Sequence, residues 1–303
     1  MRKKKHIIGF TVVGMMVMLV FASCSLVDND DGKGKKRFVI SALFDGDGNN
    51  PNCFNIKWKM GDEFMVAPTN DEGPAALFSL MTGTGRKKAF FYTSNFEYEP
   101  NYTAAYPYAE ASIKGRSVEF AIPAEQHLGT VAGNIANGAN PMATVATSIN
   151  FRFKHVYGSL GIPLFGGGYD IVHVSGIRLT ALDTCEALWG TCTATIEGED
   201  ADAIVTSTTV NEAPTRNVLT LTCDLDLSPL SEVPTWFYIM LPPGTLASGF
   251  KIEVLDDDKV LFEKSTESDL AMAERAVMKR ISTPISIENT PAITDTLQHQ
   301  IFK

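Results

Sequence analysis

Phe38, Ile40, Ala42 and Phe44 alternate with Val39, Ser41 and Leu43, and Asp45-Gly46-Asp47-Gly48-Asn49-Asn50-Pro51 stops the run in a turn. A period of two is the signature of a strand, whose successive side chains point to opposite faces. Short apolar runs of this kind recur at 63–67, 89–93, 118–122, 149–155, 159–165, 171–182, 218–227, 237–241, 250–255 and 260–263, with Gly, Pro, Asn and Asp between them. The helical period appears only at 267–279. Many short strands punctuated by turns predict an all-β protein built of sandwiches rather than a parallel α/β fold. Residues 129–147 are rich in Gly, Ala and Asn with little regular pattern, and they separate two strand-rich halves. The boundary is expected near Ser148, giving one sandwich over 38–148 and a second over 149–289.

The N-terminus has a different pattern. Arg2, Lys3, Lys4 and Lys5 precede an apolar segment at 7–22 that is shorter than the roughly 20 residues a spanning helix needs. That is the layout of an export signal. Ala22-Ser23-Cys24 resembles a bacterial lipobox, with Phe21 where leucine is more usual; the resemblance implies that Cys24 becomes a diacylated N-terminus at the outer membrane. An ordinary signal peptide, with Cys24 an incidental thiol, is the other reading. Residues 1–24 are thus the signal and 25–37 a polar tether in which Asp28, Asp30 and Asp31 precede Lys33, Lys35 and Lys36. An acidic cluster in this position resembles the surface-export signal of Bacteroidetes lipoproteins.

Charge narrows the partners. The chain of 303 residues carries a formal net charge of −9, and loss of the signal with its four cations takes this to −13. Nucleic acid is excluded as a partner, because it calls for a basic footprint. Besides Cys24 there are Cys53, Cys185, Cys192 and Cys223. In an exported protein these permit disulfides, and Cys185 and Cys192 bracket a stretch that a disulfide could tie; buried small apolar residues are the alternative.

Sequence patterns for catalysis dissolve one by one. Gly83-Thr84-Gly85-Arg86-Lys87-Lys88 leads into a strand where phosphate binding calls for a helix N-terminus, so a hairpin turn is expected. Asp45-Gly46-Asp47-Gly48-Asn49 opens like a calcium loop, but Asn50 and Ile56 stand where its glycine and bidentate glutamate belong. Asp256-Asp257-Asp258 reads as a solvated hairpin turn. No serine occupies a Gly-x-Ser-x-Gly elbow, and His127, His155, His173 and His299 lack metal-ligand spacing. The expectation is a protein without catalysis, metal or cofactor. Tyr98, Tyr102, Tyr106 and Tyr108 cluster around Pro100 and Pro107. If exposed, Tyr102, Tyr106 and Tyr108 could stack on sugars, and a monomeric glycan-binding lipoprotein is the alternative function; packing at a sheet end is the plainer account.

Several segments in order resemble the fimbrillin family of Bacteroidales, the pilin-like lipoproteins of major and minor fimbriae. They are Trp58-Lys59-Met60-Gly61-Asp62-Glu63-Phe64, Ala105-Tyr106-Pro107-Tyr108, Phe120-Ala121-Ile122-Pro123-Ala124-Glu125-Gln126, Pro141-Met142-Ala143, Phe151-Arg152-Phe153-Lys154-His155 and Phe237-Tyr238-Ile239-Met240-Leu241-Pro242-Pro243-Gly244. The resemblance implies two transthyretin-like, Greek-key β-sandwich domains in tandem. It also implies a subunit or anchor of a surface fimbria that joins other subunits by strand exchange and meets a host or bacterial surface ligand. In that scheme proteolysis after a basic residue removes the first strand, and Arg37 is the candidate. Arg37 precedes the run 38–44, however, and no arginine follows in 45–54. Cleavage there would leave the first strand in place, which favours an anchor or a cap, or a different protease. The tail 290–303 is an optional donor, with Ile293, Leu297 and Ile301 on one side of a strand; the same spacing of four also suits one face of a helix, and a frayed terminus is the plainer reading.

Overall fold

The computed structural model describes residues 38–44, 56–70, 73–94, 96, 101–107, 111–130, 133, 135–136, 139, 141–198, 216–229, 233–242, 244–272 and 278–287. All regular structure among them is β, and no helix there is long and apolar enough to cross a membrane. Seven strands close into a barrel in the order β1 (Phe38–Phe44), β10 (Asn150–His155), β9 (Met142–Ala146), β5 (Tyr102–Tyr106), β2 (Glu63–Pro68), β3 (Ala76–Thr82) and β4 (Lys88–Thr93). A five-stranded sheet runs β18 (Lys259–Thr266), β17 (Phe250–Asp256), β12 (Val172–Ala181), β14 (Val218–Leu227) and β8 (Glu125–Gly129). It shares a core with β15 (Thr235–Leu241), β11 (Gly158–Gly166) and β20 (Met278–Arg280), where β21 (Ile285–Ile287) also pairs with β11. Smaller sheets join β13 (Gly190–Thr195), β7 (Ser117–Ile122) and β6 (Ala111–Lys114), and β16 (Gly244–Leu246) with β19 (Leu270–Met272).

Two apolar cores result. Inside the barrel, Trp58 and Phe64 are fully buried on either side of the turn at Gly61, whose φ of 88° suits a residue without Cβ. Phe44 stacks on Trp58 at 3.7 Å between centroids, and Phe91 meets the same indole edge-on at 4.7 Å. The edge-on contact is the kind that quadrupolar rings favour, and this cluster fills the barrel's interior. The second core packs Leu160, Ile162 and Leu164 of β11 with Val174, Ile177 and Leu179 of β12 and Phe237 and Ile239 of β15. Gly161 keeps β11 clear of its neighbours: a Cβ there would lie 3.0 Å from the Tyr238 ring and 3.2 Å from Arg280, which itself stacks 4.9 Å over Trp236.

The two cores do not divide near Ser148. β6, β7 and β8 lie before that point but belong with the second core, whereas β10 lies after it and pairs in parallel with β1 from Ser41↔Asn150 to Phe44↔Phe153. The chain leaves the barrel after β5, builds three strands elsewhere, and returns with β9 and β10 before crossing to β11. β5 and β9 form the wall between the cores. Tyr102, Ala104, Met142 and Ala146 face the barrel, while Ala105, Ala143 and Val145 face the second core. Small residues occupy this wall because packed material lies on both sides. The Gly/Ala/Asn-rich stretch ends in a barrel strand, Met142–Ala146.

Of the run 267–279, where a helix is expected, the described residues are not helical. Leu270–Met272 pairs with Gly244–Leu246, and Met278–Arg280 pairs in parallel with β11. A short amphipathic run carries little helical stability of its own, so strand partners override it. The hairpins anticipated at 83–88 and 256–258 are present, joining β3 to β4 and β17 to β18. Cys185, Cys192 and Cys223 are free thiols, so no disulfide ties 185 to 192.

One open side of the sandwich, between the end strands β8 and β15, is closed by polar contacts. Gln126 of β8 is fully buried; its Nε2 donates to the Met240 carbonyl at 2.8 Å, and its Oε1 accepts from the Met240 amide at 3.0 Å. Gly133 N–H donates to the Trp236 carbonyl, and Ile135 bridges Tyr238. The outer backbone groups of β15 thus find partners without another strand.

Candidate functional site

The feature with the clearest capacity to act is the slot occupied by β1. This strand sits between β4, which it pairs antiparallel from Phe38↔Thr93 to Leu43↔Lys88, and β10, which it pairs in parallel. Its ladder with β10 is the one parallel pair within the barrel, and parallel pairing is slightly weaker per residue. Ile40, Ala42 and Phe44 point inward at 1%, 0% and 5% exposure. Burial of the Ile40 and Phe44 side chains stabilises the strand by roughly 3–6 kcal/mol together. The Trp58 indole N–H donates to the Ala42 carbonyl at 3.3 Å, and Ser41 Oγ donates to Asn150 Oδ1 at 2.6 Å. Without β1 the barrel would present an open edge on β4, another on β10, and an apolar floor that includes Phe91, Phe151 and Phe153.

The end of this slot nearest Phe44 is polar at its rim. Asp62 accepts from the Lys59 amide at 2.5 Å and from the Tyr106 hydroxyl at 3.0 Å. Burial pushes its carboxyl above the usual range, and the two hydrogen bonds partly offset that. Tyr106 is therefore a half-buried lid on the aromatic cluster, with its ring 5.3 Å from Trp58.

This geometry corrects the tyrosine expectation. Tyr102 is 1% exposed and points into the barrel core, so it has no ring face for a sugar. Alternation along β5 dictates this, because Tyr102, Ala104 and Tyr106 share its inner face. Tyr108, Cys24 and Arg37 lie outside the described residues, as do Cys53, the acidic turn at 45–51 and the tail 290–303.

Other polar groups settle into local roles. His173 Nδ1 lies 3.0 Å from Asp226 Oδ1 and its Nε2 lies 3.8 Å from Asp224 Oδ1; the hydrogen bond to Asp226 raises its pKa above 6.5 against some desolvation. His127 bonds Thr222 Oγ1 at 2.6 Å. Among the described residues no three His, Cys, Asp or Glu side chains converge as a metal site. Burial pushes the Cys192 and Cys223 thiols up to about 11 and about 12, while Cys185 is exposed.

Fold and slot together define an all-β protein in which a barrel closed by its first strand adjoins a second, sandwich-like core. No family model and no curated protein matches the chain. Among solved structures it is similar to a protein of Bacteroides ovatus described as a "putative cell adhesion protein", at 12% identity and a TM-score of 0.50, over 83% of this chain and 92% of that one. A protein of Parabacteroides distasonis with the same description matches at 11% identity and a TM-score of 0.35, over 82% of this chain and 88% of that one. The first of these likenesses is one of fold.

Proposed function

We propose that the protein is a structural, adhesive subunit or the anchor of a cell-surface fimbria of the fimbrillin type, held at the outer membrane through lipid on Cys24. In this reading the barrel and the sandwich are the two tandem transthyretin-like units. Subunits join by strand exchange, in which an extended segment of another subunit takes the place of β1. The observation that carries the reading is the position of β1: it begins one residue after Arg37, completes the barrel, and covers a continuous apolar floor. An incoming strand would regain both the backbone pairing and the alternate apolar contacts, which is why strand addition binds strongly. The fold similarity to a protein described as a "putative cell adhesion protein" is a second support. With Arg37 ahead of β1, processing there would keep the slot filled, and this favours the anchor or cap position over the shaft. Partners are then other fimbrial subunits, the outer membrane, and a surface ligand on a host or bacterial cell.

The test is N-terminal and intact-mass analysis of protein from its native envelope, paired with a variant carrying a specific protease site between residues 45 and 55. A diacylated Cys24 on the mature protein supports the anchor. Cutting the variant and extracting β1 should convert it to detergent-resistant oligomers, and deletion of 290–303 should block that conversion without unfolding the subunit. A cut protein that stays monomeric, with its tail intact, sinks strand exchange.

A further inference from the structure

Two exposed patches, far apart on one molecule, match each other in chemistry. The first is the end of the sandwich remote from the barrel. Gly166 bridges Pro229, so the loop from β11 to β12 lies beside the loop from β14 to β15. Tyr169 is 88% exposed on the first loop, Ile171 follows it into solvent, and Val233 is exposed on the second. Large apolar side chains in solvent on neighbouring loops mark a contact surface. Carboxylates lie around them. Asp170 stands between Tyr169 and Ile171, and Asp224 and Asp226 flank His173 at 3.8 and 3.0 Å. The Asp257 amide donates to Ser175 Oγ at 2.6 Å, which brings the turn at 256–258 to the same end of β12.

The second patch is the end of the barrel at the β3–β4 hairpin. The Trp58 amide donates to the Arg86 carbonyl at 3.0 Å and the Gly85 amide to the Trp58 carbonyl at 2.8 Å, so the turn at 57–61 and the hairpin form one surface. Met60 is 87% exposed there, and Met81 and Phe90 are also exposed. Lys57, Arg86 and Lys88 are exposed among them, with Lys88 Nζ 6.0 Å over the Phe90 ring. Asp62 and Glu63 are the carboxylates among the described barrel residues, and both accept hydrogen bonds within the subunit.

We propose that these patches bind each other between two copies of the chain, the far end of one sandwich seating on the barrel hairpin of the next. β10 passes into β11 within three residues, so the barrel lies at the Gly158 end of β11. Gly166 stands roughly 26 Å beyond that point along the extended strand. The short loops at Gly166 do not reach the hairpin of their own copy, and the matching surface is on another one. Opposite charge steers the encounter and sets its register, while the exposed rings and thioethers supply apolar burial. A contact of this size is weak by itself. Because the two surfaces differ, each pairing leaves one of each unused, and the contact propagates as a row instead of closing as a dimer. The inference goes beyond strand exchange, since β1 stays in its slot.

The experiment is sedimentation velocity of the uncut full chain in excess detergent at low salt, over about a hundredfold range of concentration. Two double variants accompany it. Arg86→Glu with Lys88→Glu makes the barrel patch acidic, and Asp170→Lys with Asp258→Lys makes the sandwich patch basic. The average mass of the parent should climb past that of a dimer as concentration rises and fall back at high salt. Each variant alone should associate at least about tenfold more weakly, and an equimolar mixture of the two should recover association, because each then meets opposite charge. Carbodiimide coupling of isotope-labelled with unlabelled parent should join Lys57 or Lys88 of one copy to Asp170 or Asp258 of another. A parent that stays monomeric, variants that associate as the parent does, a mixture that fails to recover, or cross-links that join a patch to its own kind would each overturn the proposal. Strand exchange is read on the cut protein, so failure here leaves that reading standing.

Discussion

Replacing Gln126 with Ala is expected to destabilise the second core out of proportion to the atoms removed. Gln126 is 0% exposed and satisfies both backbone groups of Met240, at 2.8 and 3.0 Å. Truncation leaves an amide N–H and a carbonyl without partners on the outer edge of β15. An orphaned buried polar group costs about 1–3 kcal/mol, so the pair and the small cavity together predict a loss of roughly 2–5 kcal/mol. Gln126→Glu separates the two bonds. Its carboxylate still accepts from the Met240 amide but repels the Met240 carbonyl, and burial drives its pKa up. The protonated acid can donate to that carbonyl. A folded pKa above the unfolded value means that the stability present at low pH is lost as pH rises through the folded pKa. Urea unfolding at pH 7 and pH 5, read on the second core by pulsed hydrogen exchange, should show Gln126→Ala weakened at both pH values and Gln126→Glu recovering part of its loss at pH 5. A Gln126→Ala protein within 0.5 kcal/mol of the parent, or a Gln126→Glu protein no more stable at pH 5 relative to the parent, would refute the reasoning.

Ala143→Leu should destabilise by about 1–3 kcal/mol, because the wall strand has no room for three more carbons; an unfolding midpoint unchanged in urea would count against a packed wall. Under native conditions and at pH 8, Cys185 should react with a thiol reagent far faster than Cys192 and Cys223, whose burial holds them protonated, and peptide mapping of the labelled protein checks the order. His173 should titrate above 6.5 by NMR, and Asp226→Asn should bring it down. Its contribution to stability is present below pH 6.5 and fades as pH rises through the folded pKa. At 39% side-chain exposure, screening keeps it below about 1 kcal/mol, so an unshifted titration would remove the Asp226 contact as a cause.

How far the sequence could be read depended on how many faces of each strand are buried. β12 and β17 were legible because apolar residues cluster against turns of Asp and Gly, and the hairpin at 256–258 followed from those turns. Trp58 and Phe64 could be placed in a core because large apolar residues flank a Gly-Asp turn, and both are fully buried. β5 and β9 left no such trace. Every described side chain of β9 is buried, so period-two contrast disappears and its small residues look like a linker. The same ambiguity made Tyr102 look like a candidate surface ring when its side of β5 faces the barrel.

Local chemistry in the sequence thus determined the all-β class, most strand positions, the hairpin turns and the acidic character of the chain, because turn residues and alternation act over a few neighbours. The tertiary structure alone decided that 111–129 would leave the barrel for the second core, that β1 would close the barrel against β10 more than a hundred residues away, and that one side of the sandwich would be sealed by Gln126. Those choices rest on which strand edges and apolar faces can be satisfied together, a condition set by contacts distant in sequence.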